Sequence, residues 1–194
     1  MNSNFVIWKY KSVADACVLK DFKGLEQTYR LNNGTPLAAE FPPGVSFHMD
    51  EDFPDDLLIV DNVLNADMVI VASKRLCEAV QSHVTTGVEY LPVNIVDHKG
   101  RVASKEHCII HPVQPVDAID KDQSVFETNI IDPDDIESFE KLVVDESRVP
   151  DDRKLFRLQG FWGLTLVHPD VARALDQHGF AGLGWQRLED YPET

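Results

Sequence analysis

The hydrophobic pattern along the chain contains the same arrangement twice. A short apolar run begins at Val69 and again at Leu164, a displacement of 95 residues, and apolar positions at helical spacing follow each run. Short apolar runs are typical of buried strands, whereas apolar residues at i, i+3 or i+4 and i+7 form one face of a helix. A second apolar run follows in both copies, around Tyr90 and Trp185. The pattern predicts two repeated strand–helix–strand units, at about residues 67–95 and 162–190.

Residues that favour helix ends lie at matching places in the two units. Ser73 can accept a hydrogen bond from a free backbone N–H at the start of the first helix. Pro169 suits the first turn of the second helix, because proline has no N–H to leave unpaired there. Gly87 and Gly182 stand where each helical region gives way to the next strand. We therefore expect both units to consist of packing residues.

The rest of the chain favours β structure joined by short turns. A first strand is expected at 5–8, and a hairpin at 90–96 and 102–113, with a glycine-containing turn at 97–100 between its arms. Further strand-like runs lie at 116–120, 136–144 and 155–158. The sequence thus predicts an α+β fold, with one domain over residues 1–194 and a central, mostly antiparallel sheet.

The net charge limits the partners that the chain can bind. It carries 18 basic and 33 acidic residues, which gives a formal charge of −15. Such a field repels nucleic acid and anionic membranes and attracts basic partners. We therefore expect neither nucleic-acid binding nor membrane binding.

Two further features suggest the compartment. The N-terminal residues lack the basic and long apolar segments of a secretory signal, and no run approaches the roughly 20 apolar residues that cross a bilayer. The cysteines are Cys17, Cys77 and Cys108, and no two of them form a C-x-x-C pair. We expect all three to be unpaired, small buried residues in a reducing compartment. These features favour a cytoplasmic protein.

Histidines are the first candidates for site chemistry. His98 lies in the expected hairpin turn, and His107 and His111 would be about 13 Å apart on an extended strand, too far to share one ion. His83 and His178 fall near helix C-termini, where the helix dipole favours a cation. The spacing therefore predicts no metal site.

Motifs for catalysis are absent from the sequence. It contains no G-x-S-x-G elbow, no G-x-G-x-x-G loop and no Walker lysine motif. We expect no catalytic residues and no cofactor. A hydrolase with a carboxylate pair or a His/Asp site stays open as the alternative, since acidic residues are abundant and their spacing in sequence does not fix their spacing in space.

Acidic side chains are the remaining candidates, as binding residues for a basic partner. The first acidic cluster comprises Asp50, Glu51, Asp52, Asp55 and Asp56, and the second acidic cluster comprises Asp132, Asp134, Asp135 and Glu137. Complementary charge accelerates association between proteins. The competing interpretation is a solvated surface that keeps the chain soluble.

Six short segments in a fixed order carry a resemblance to a known family. They are LNNGTPL at 31–37, DMVIVASKRL at 67–76, VEYLPV at 88–93 with DHKG at 97–100, VDAID at 116–120, LVVDES at 142–147 and LFRL at 155–158. In this order and spacing the chain resembles a family of immunity proteins that bacteria encode beside polymorphic toxins, formerly a domain of unknown function. Such proteins protect a cell or its kin in interbacterial competition from toxins delivered by contact-dependent or type VI-like secretion.

The resemblance implies binding without catalysis. We expect the partner to be a cognate toxin protein with a basic surface, bound directly and stoichiometrically. Nuclease toxins are frequent neighbours of this family, so an acidic surface would cap a basic nuclease active site. The two other readings are a hydrolase that reverses or prevents toxin damage and a regulatory ligand-binding domain. The sequence leaves the docking face and the oligomeric state open.

Overall fold

Strands dominate the part of the chain that the structure describes, residues 5–192 of a computed structural model. In chain order the strands are β1 (Val6–Tyr10), β2 (Leu19–Lys23), β3 (Ser46–Met49), β4 (Asn62–Val63), β5 (Ile70–Ser73), β6 (Val88–Val96), β7 (Val102–Pro112), β8 (Val125–Thr128), β9 (Ile136–Lys141), β10 (Leu155–Leu158), β11 (Phe161–Val167) and β12 (Leu183–Arg187). The helices are α1 (Lys74–His83) and α2 (Pro169–Asp176). Single 3-10 turns cover Thr28–Leu31, Glu146–Arg148 and Leu188–Asp190. Neither helix is long and apolar enough to cross a membrane.

The strands are divided among three sheets. A six-stranded sheet has the order β2-β3-β6-β7-β5-β4, a four-stranded sheet has the order β10-β11-β1-β12, and β8 pairs with β9. Strand pairs within these sheets are antiparallel except for β3 with β6. The mixed α and β content and the mostly antiparallel pairing agree with the sequence, although the strands are divided among three sheets and not gathered in a central one. Local patterns could not reveal that β1 pairs with β11 and β12, more than 150 residues away.

The two segments of similar pattern each follow the order strand, helix, strand. In the first, β5 and β6 both pair with β7, which lies between them. In the second, β11 and β12 both pair with β1. Helices α1 and α2 contact each other. The equivalence of the segments as copies of one unit, over about 67–95 and 162–190, stays a prediction.

Both helices begin where the sequence predicts. Ser73 Oγ accepts a hydrogen bond from the N–H of Leu76 at 3.3 Å, and Pro169 occupies the first turn of α2. His168 Nδ1 accepts from the N–H of Asp170 at 3.2 Å and caps the same helix. The buried faces of the two helices contribute to one core that both larger sheets share. These faces consist of Leu76, Cys77 and Val80 in α1 and of Val171, Ala172 and Leu175 in α2.

The expectation that all three cysteines are unpaired is wrong for two of them. Cys77 and Cys108 form a disulfide, whereas Cys17 is free and buried. The pairing follows from β5 lying beside β7, where Ala72 is opposite Cys108, so that α1 begins over β7. Because disulfides are typical of oxidising compartments, the cysteines no longer support a reducing one.

Candidate functional site

The first acidic cluster lies in the turn that follows β3, and a lysine of β2 partly neutralises it. Lys20 Nζ is 3.4 Å from Asp50 Oδ1 and 3.3 Å from Asp52 Oδ2. Hydrogen bonding to Asp52 is the largest of the contacts that raise the pKa of Lys20. The Asp50 carboxylate is mostly buried, whereas that of Asp52 is exposed. Ion pairing therefore reduces the negative potential that these two residues offer to a partner.

A polar groove of about 420 Å³ separates this turn from the turn between β6 and β7. His98 Nε2 lies 2.9 Å from the backbone oxygen of Asp50 and joins the two turns. Asp97 accepts hydrogen bonds from the backbone N–H and the guanidinium of Arg101, and these lower the pKa of Asp97 to about 2. Lys23 and His48 also line the groove. Its walls thus carry both signs of charge.

The other members of the first acidic cluster lie among apolar side chains. Glu51 and Asp55 are exposed, and Asp56 is half-buried. Phe53, Leu57 and Leu58 remain about half exposed nearby. This turn is therefore a mixed surface of acidic and apolar groups.

The second acidic cluster lies on a hairpin formed by β8, β9 and the loop at 129–135, here named the acidic hairpin. Asp132 and Asp134 are exposed in the loop, and Asp135 is half-buried, with its Oδ2 3.4 Å from Trp162 Nε1. Glu137 accepts a hydrogen bond from Asn129 Nδ2 at 2.6 Å. The structure brings these four acids together on one hairpin.

The acidic hairpin has one basic residue, Lys141 at the end of β9, and none from residue 125 to residue 140. Its six carboxylates belong to Glu127, Asp132, Asp134, Asp135, Glu137 and Glu140. Among residues 5–192, none of the six belongs to an ion pair. All four carboxylates of the second acidic cluster are therefore without an ion pair, whereas Lys20 pairs with two of the five in the first.

Different sheets carry the two clusters. The first borders β2 and β3 of the six-stranded sheet, and the second belongs to the two-stranded sheet that packs on β10 and β11. The clusters consequently form two separate surfaces rather than one continuous site.

Two isoleucines at the tip of the acidic hairpin were not among the expected site residues. Ile130 and Ile131 expose 98% and 94% of their surface. A signal was present in the sequence, since an apolar pair directly before Asp132 and Pro133 lies within a turn rather than inside a strand. Apolar side chains in such a turn remain exposed, and this could have marked them as candidate binding residues.

The histidines of β7 are buried and serve the fold. His111 Nε2 lies 2.9 Å from the Thr35 backbone oxygen, and His107 Nδ1 lies 2.8 Å from Ser104 Oγ. Burial lowers the pKa of both imidazoles. Residues 5–192 contain no group of three metal-ligating side chains.

A buried arginine is a second feature that the sequence analysis missed. Arg157 in β10 is 3% exposed and donates to the backbone oxygens of Trp162, Asn32 and Met68, at 2.6, 3.2 and 3.4 Å. Burial lowers the pKa of the guanidinium to about 10, so it remains protonated at neutral pH. The Arg157 guanidinium joins two loops to the start of β11, and its place within the apolar LFRL segment was the available signal.

Comparison with known families identifies the chain. The model of the Immunity protein family (Imm11) matches residues 11–190, which include both acidic clusters. The chain belongs to the Imm11 immunity protein family. The suspected resemblance to immunity proteins is thereby confirmed, and membership of Imm11 indicates a role in toxin immunity. A comparison with curated proteins gave no match.

Proposed function

We propose that this Imm11 protein neutralises a cognate toxin by direct, stoichiometric binding. The family match over residues 11–190 carries the proposal. An immunity protein that acts by contact needs a surface complementary to its toxin, and it needs no reactive groups. The excess of acidic over basic residues provides a surface of that kind for a basic partner.

The toxin surface that we propose as the partner is basic and includes its active site. A nuclease fits this description, because an enzyme that holds phosphate groups lines its active site with cationic side chains. An acidic protein that covers such a site excludes the nucleic acid by occupying its place and by repelling its phosphates. Fast association is valuable here, and complementary charges can raise the association rate constant toward about 10⁸–10⁹ M⁻¹s⁻¹.

Co-expression with the toxin domain encoded beside this gene tests the proposal. We expect an affinity-tagged chain to retain that domain through purification and to elute with it as one complex, with a buried area of about 1,200–2,000 Å². A matched control is an unrelated toxin domain of similar basic charge, which should not be retained. If cells are protected while no complex survives at low salt, stoichiometric binding is the wrong mechanism. The result would then favour the alternative function, a hydrolase that reverses or prevents the toxin damage.

A further inference from the structure

The tip of the acidic hairpin carries two almost fully exposed apolar side chains next to acidic ones. Of the described residues, Ile130 and Ile131 are the most exposed large apolar side chains, at 98% and 94%. Two adjacent isoleucines in water forgo the free energy that burial of their surface would provide. Single exposed apolar residues are normal, but an adjacent pair in a hairpin loop is a candidate contact for a partner.

The backbone of this tip is held in place by its own hydrogen bonds. Asn129 Oδ1 accepts from the N–H groups of Ile131 and Asp132, at 2.8 and 3.1 Å. The N–H of Asn129 donates to the backbone oxygen of Asp135 at 2.9 Å and closes the loop. A loop fixed before binding loses little conformational entropy in the complex.

Strand β9 anchors the acidic hairpin in the protein core, from Ile136 directly after the loop onward. Ile136 and Phe139 are buried, and the Phe139 ring meets the Phe161 ring edge to face with 4.8 Å between centroids. The N–H of Ile136 also donates to the Gly160 backbone oxygen at 2.7 Å. The loop is therefore held against the start of β11 by the residues that directly follow it.

The charges around the tip determine the chemistry of the partner. Asp132 and Asp134 follow the two isoleucines in the loop, and no basic residue lies between residues 125 and 140, so a nucleic acid or an anionic membrane is repelled. A protein surface with an apolar slot between lysine and arginine side chains fits both the apolar tip and its acidic border. In known interfaces a desolvated apolar centre inside a charged rim is the usual arrangement.

We propose that the acidic hairpin is the docking element of the protein, with Ile130 and Ile131 entering an apolar slot on the basic face of the cognate toxin. This inference rests on the proposed function and adds the residues that make the central contact. The carboxylates of the second acidic cluster surround that contact and accelerate the encounter. Loss of the isoleucines therefore acts on the dissociation rate, whereas loss of the charges acts on the association rate.

The test compares two double variants in binding to the toxin domain encoded beside the gene. Ile130→Ser with Ile131→Ser removes the tip, and Leu57→Ser with Leu58→Ser removes the exposed apolar pair beside the first acidic cluster. We expect the tip variant to bind more weakly, with a dissociation constant about 100-fold higher, mainly through faster dissociation. The control variant should bind like the wild type. The isoleucine pair is almost fully exposed and the leucine pair is about half exposed. Thermal unfolding followed by circular dichroism checks that each variant is folded.

A photo-crosslinking amino acid at position 131 gives a second measurement that does not depend on affinity. We expect it to form a covalent adduct with the toxin, and the same group at Met68, which is 70% exposed elsewhere, to form none. Normal binding by the tip variant together with loss of binding by the Leu57 and Leu58 variant would overturn the inference and leave the proposed function intact. Failure of the wild type itself to bind the toxin would overturn both.

Discussion

Asp61 and Arg75 form a two-point ion pair, in which Nε and Nη2 of the arginine each lie 2.6 Å from a carboxylate oxygen. Asp61 also accepts from Ser73 Oγ at 2.6 Å and from the N–H of Ala181 at 2.9 Å. One carboxylate thus joins the start of α1 to the loop after α2. The Arg75 guanidinium lies 4.6 Å from the centre of the Phe180 ring and adds a contact to the same loop.

Replacement of Asp61 by asparagine should therefore destabilise the protein. The amide keeps the shape but loses the charge, and its NH₂ group takes the place of an oxygen that accepts from two of the four donors. We expect the free energy of unfolding to fall by about 2–3 kcal/mol, measured by urea unfolding. Asp52→Asn, at an exposed carboxylate, should change it by less than about 0.5 kcal/mol. An equal effect of the two substitutions would show that the contacts of Asp61 with Arg75, Ser73 and Ala181 do not stabilise the fold.

The same carboxylate predicts a dependence of stability on pH. Burial opposes ionisation of Asp61, but hydrogen bonds from Arg75, Ser73 and Ala181 together lower its pKa below the ordinary 3.8. A group with a lowered folded-state pKa stabilises the protein above its unfolded value and loses that contribution as the pH falls through the folded value. The stability difference between the wild type and Asp61→Asn should be constant near pH 6 and shrink below about pH 4. Urea unfolding at several pH values measures it, and a difference that grows on acidification would contradict the account.

Gly182 is the glycine whose replacement should cost most. Its φ is +82°, and a methyl group there would overlap the backbone oxygen of Asn62. We expect Gly182→Ala to lower the free energy of unfolding by at least about 3 kcal/mol. Gly179 has a φ of +60° but open space around it, so Gly179→Ala should lose only about 1 kcal/mol. Equal losses of unfolding free energy in the two variants would mean that the close approach of Asn62 to Gly182 does not add to the cost of the substitution.

Reduction of the Cys77–Cys108 disulfide should weaken the fold without abolishing it. The bond closes a loop with a sequence separation of 31 residues. For a loop of that length the loss is about 2–4 kcal/mol. Urea unfolding with and without dithiothreitol gives the value, and Cys17→Ser should respond to the reductant as the wild type does. A Cys77→Ser variant as stable as the oxidised wild type would rule out a stabilising bond.

Charge reversal should affect the two acidic clusters unequally. We expect Asp132→Lys with Asp134→Lys to slow toxin association about tenfold at low salt and to reduce its salt dependence. Asp50→Lys with Asp52→Lys should have a smaller effect, because Lys20 already pairs with both carboxylates. Stopped-flow association with the toxin domain at two salt concentrations measures both. The reverse order of effects would place the toxin at the first acidic cluster.

The sequence predicted what depends on neighbours along the chain. The Ser73 cap, Pro169 in the first turn of α2 and the turn at 97–100 with its positive-φ Gly100 were all found as expected, because each is encoded within a few residues. The division into separate sheets was not predictable, since β1 joins strands at the far end of the chain. The pairing of Cys77 with Cys108 was missed for the same reason, because it depends on β5 lying beside β7.

For the candidate binding surfaces, the sequence identified the charges but not their surroundings. It placed Asp50 and Asp132 in acidic turns, which the structure confirms. It could not show that Lys20 reaches across from β2 to pair with Asp50, because that contact joins two strands. It also gave no weight to Ile130 and Ile131, whose exposure depends on how the loop at 129–135 closes.

The measurement that tests the central claim most directly is a titration of toxin activity with this protein. A fixed concentration of the toxin domain encoded beside the gene, well above the dissociation constant, receives increasing amounts of the purified chain. Stoichiometric binding predicts a linear fall in activity that ends near one molecule of this protein per toxin, at once and without further decline over time. Complete loss of activity with a small fraction of an equivalent, progressing with time, would show that the chain acts as a catalyst and would contradict the account.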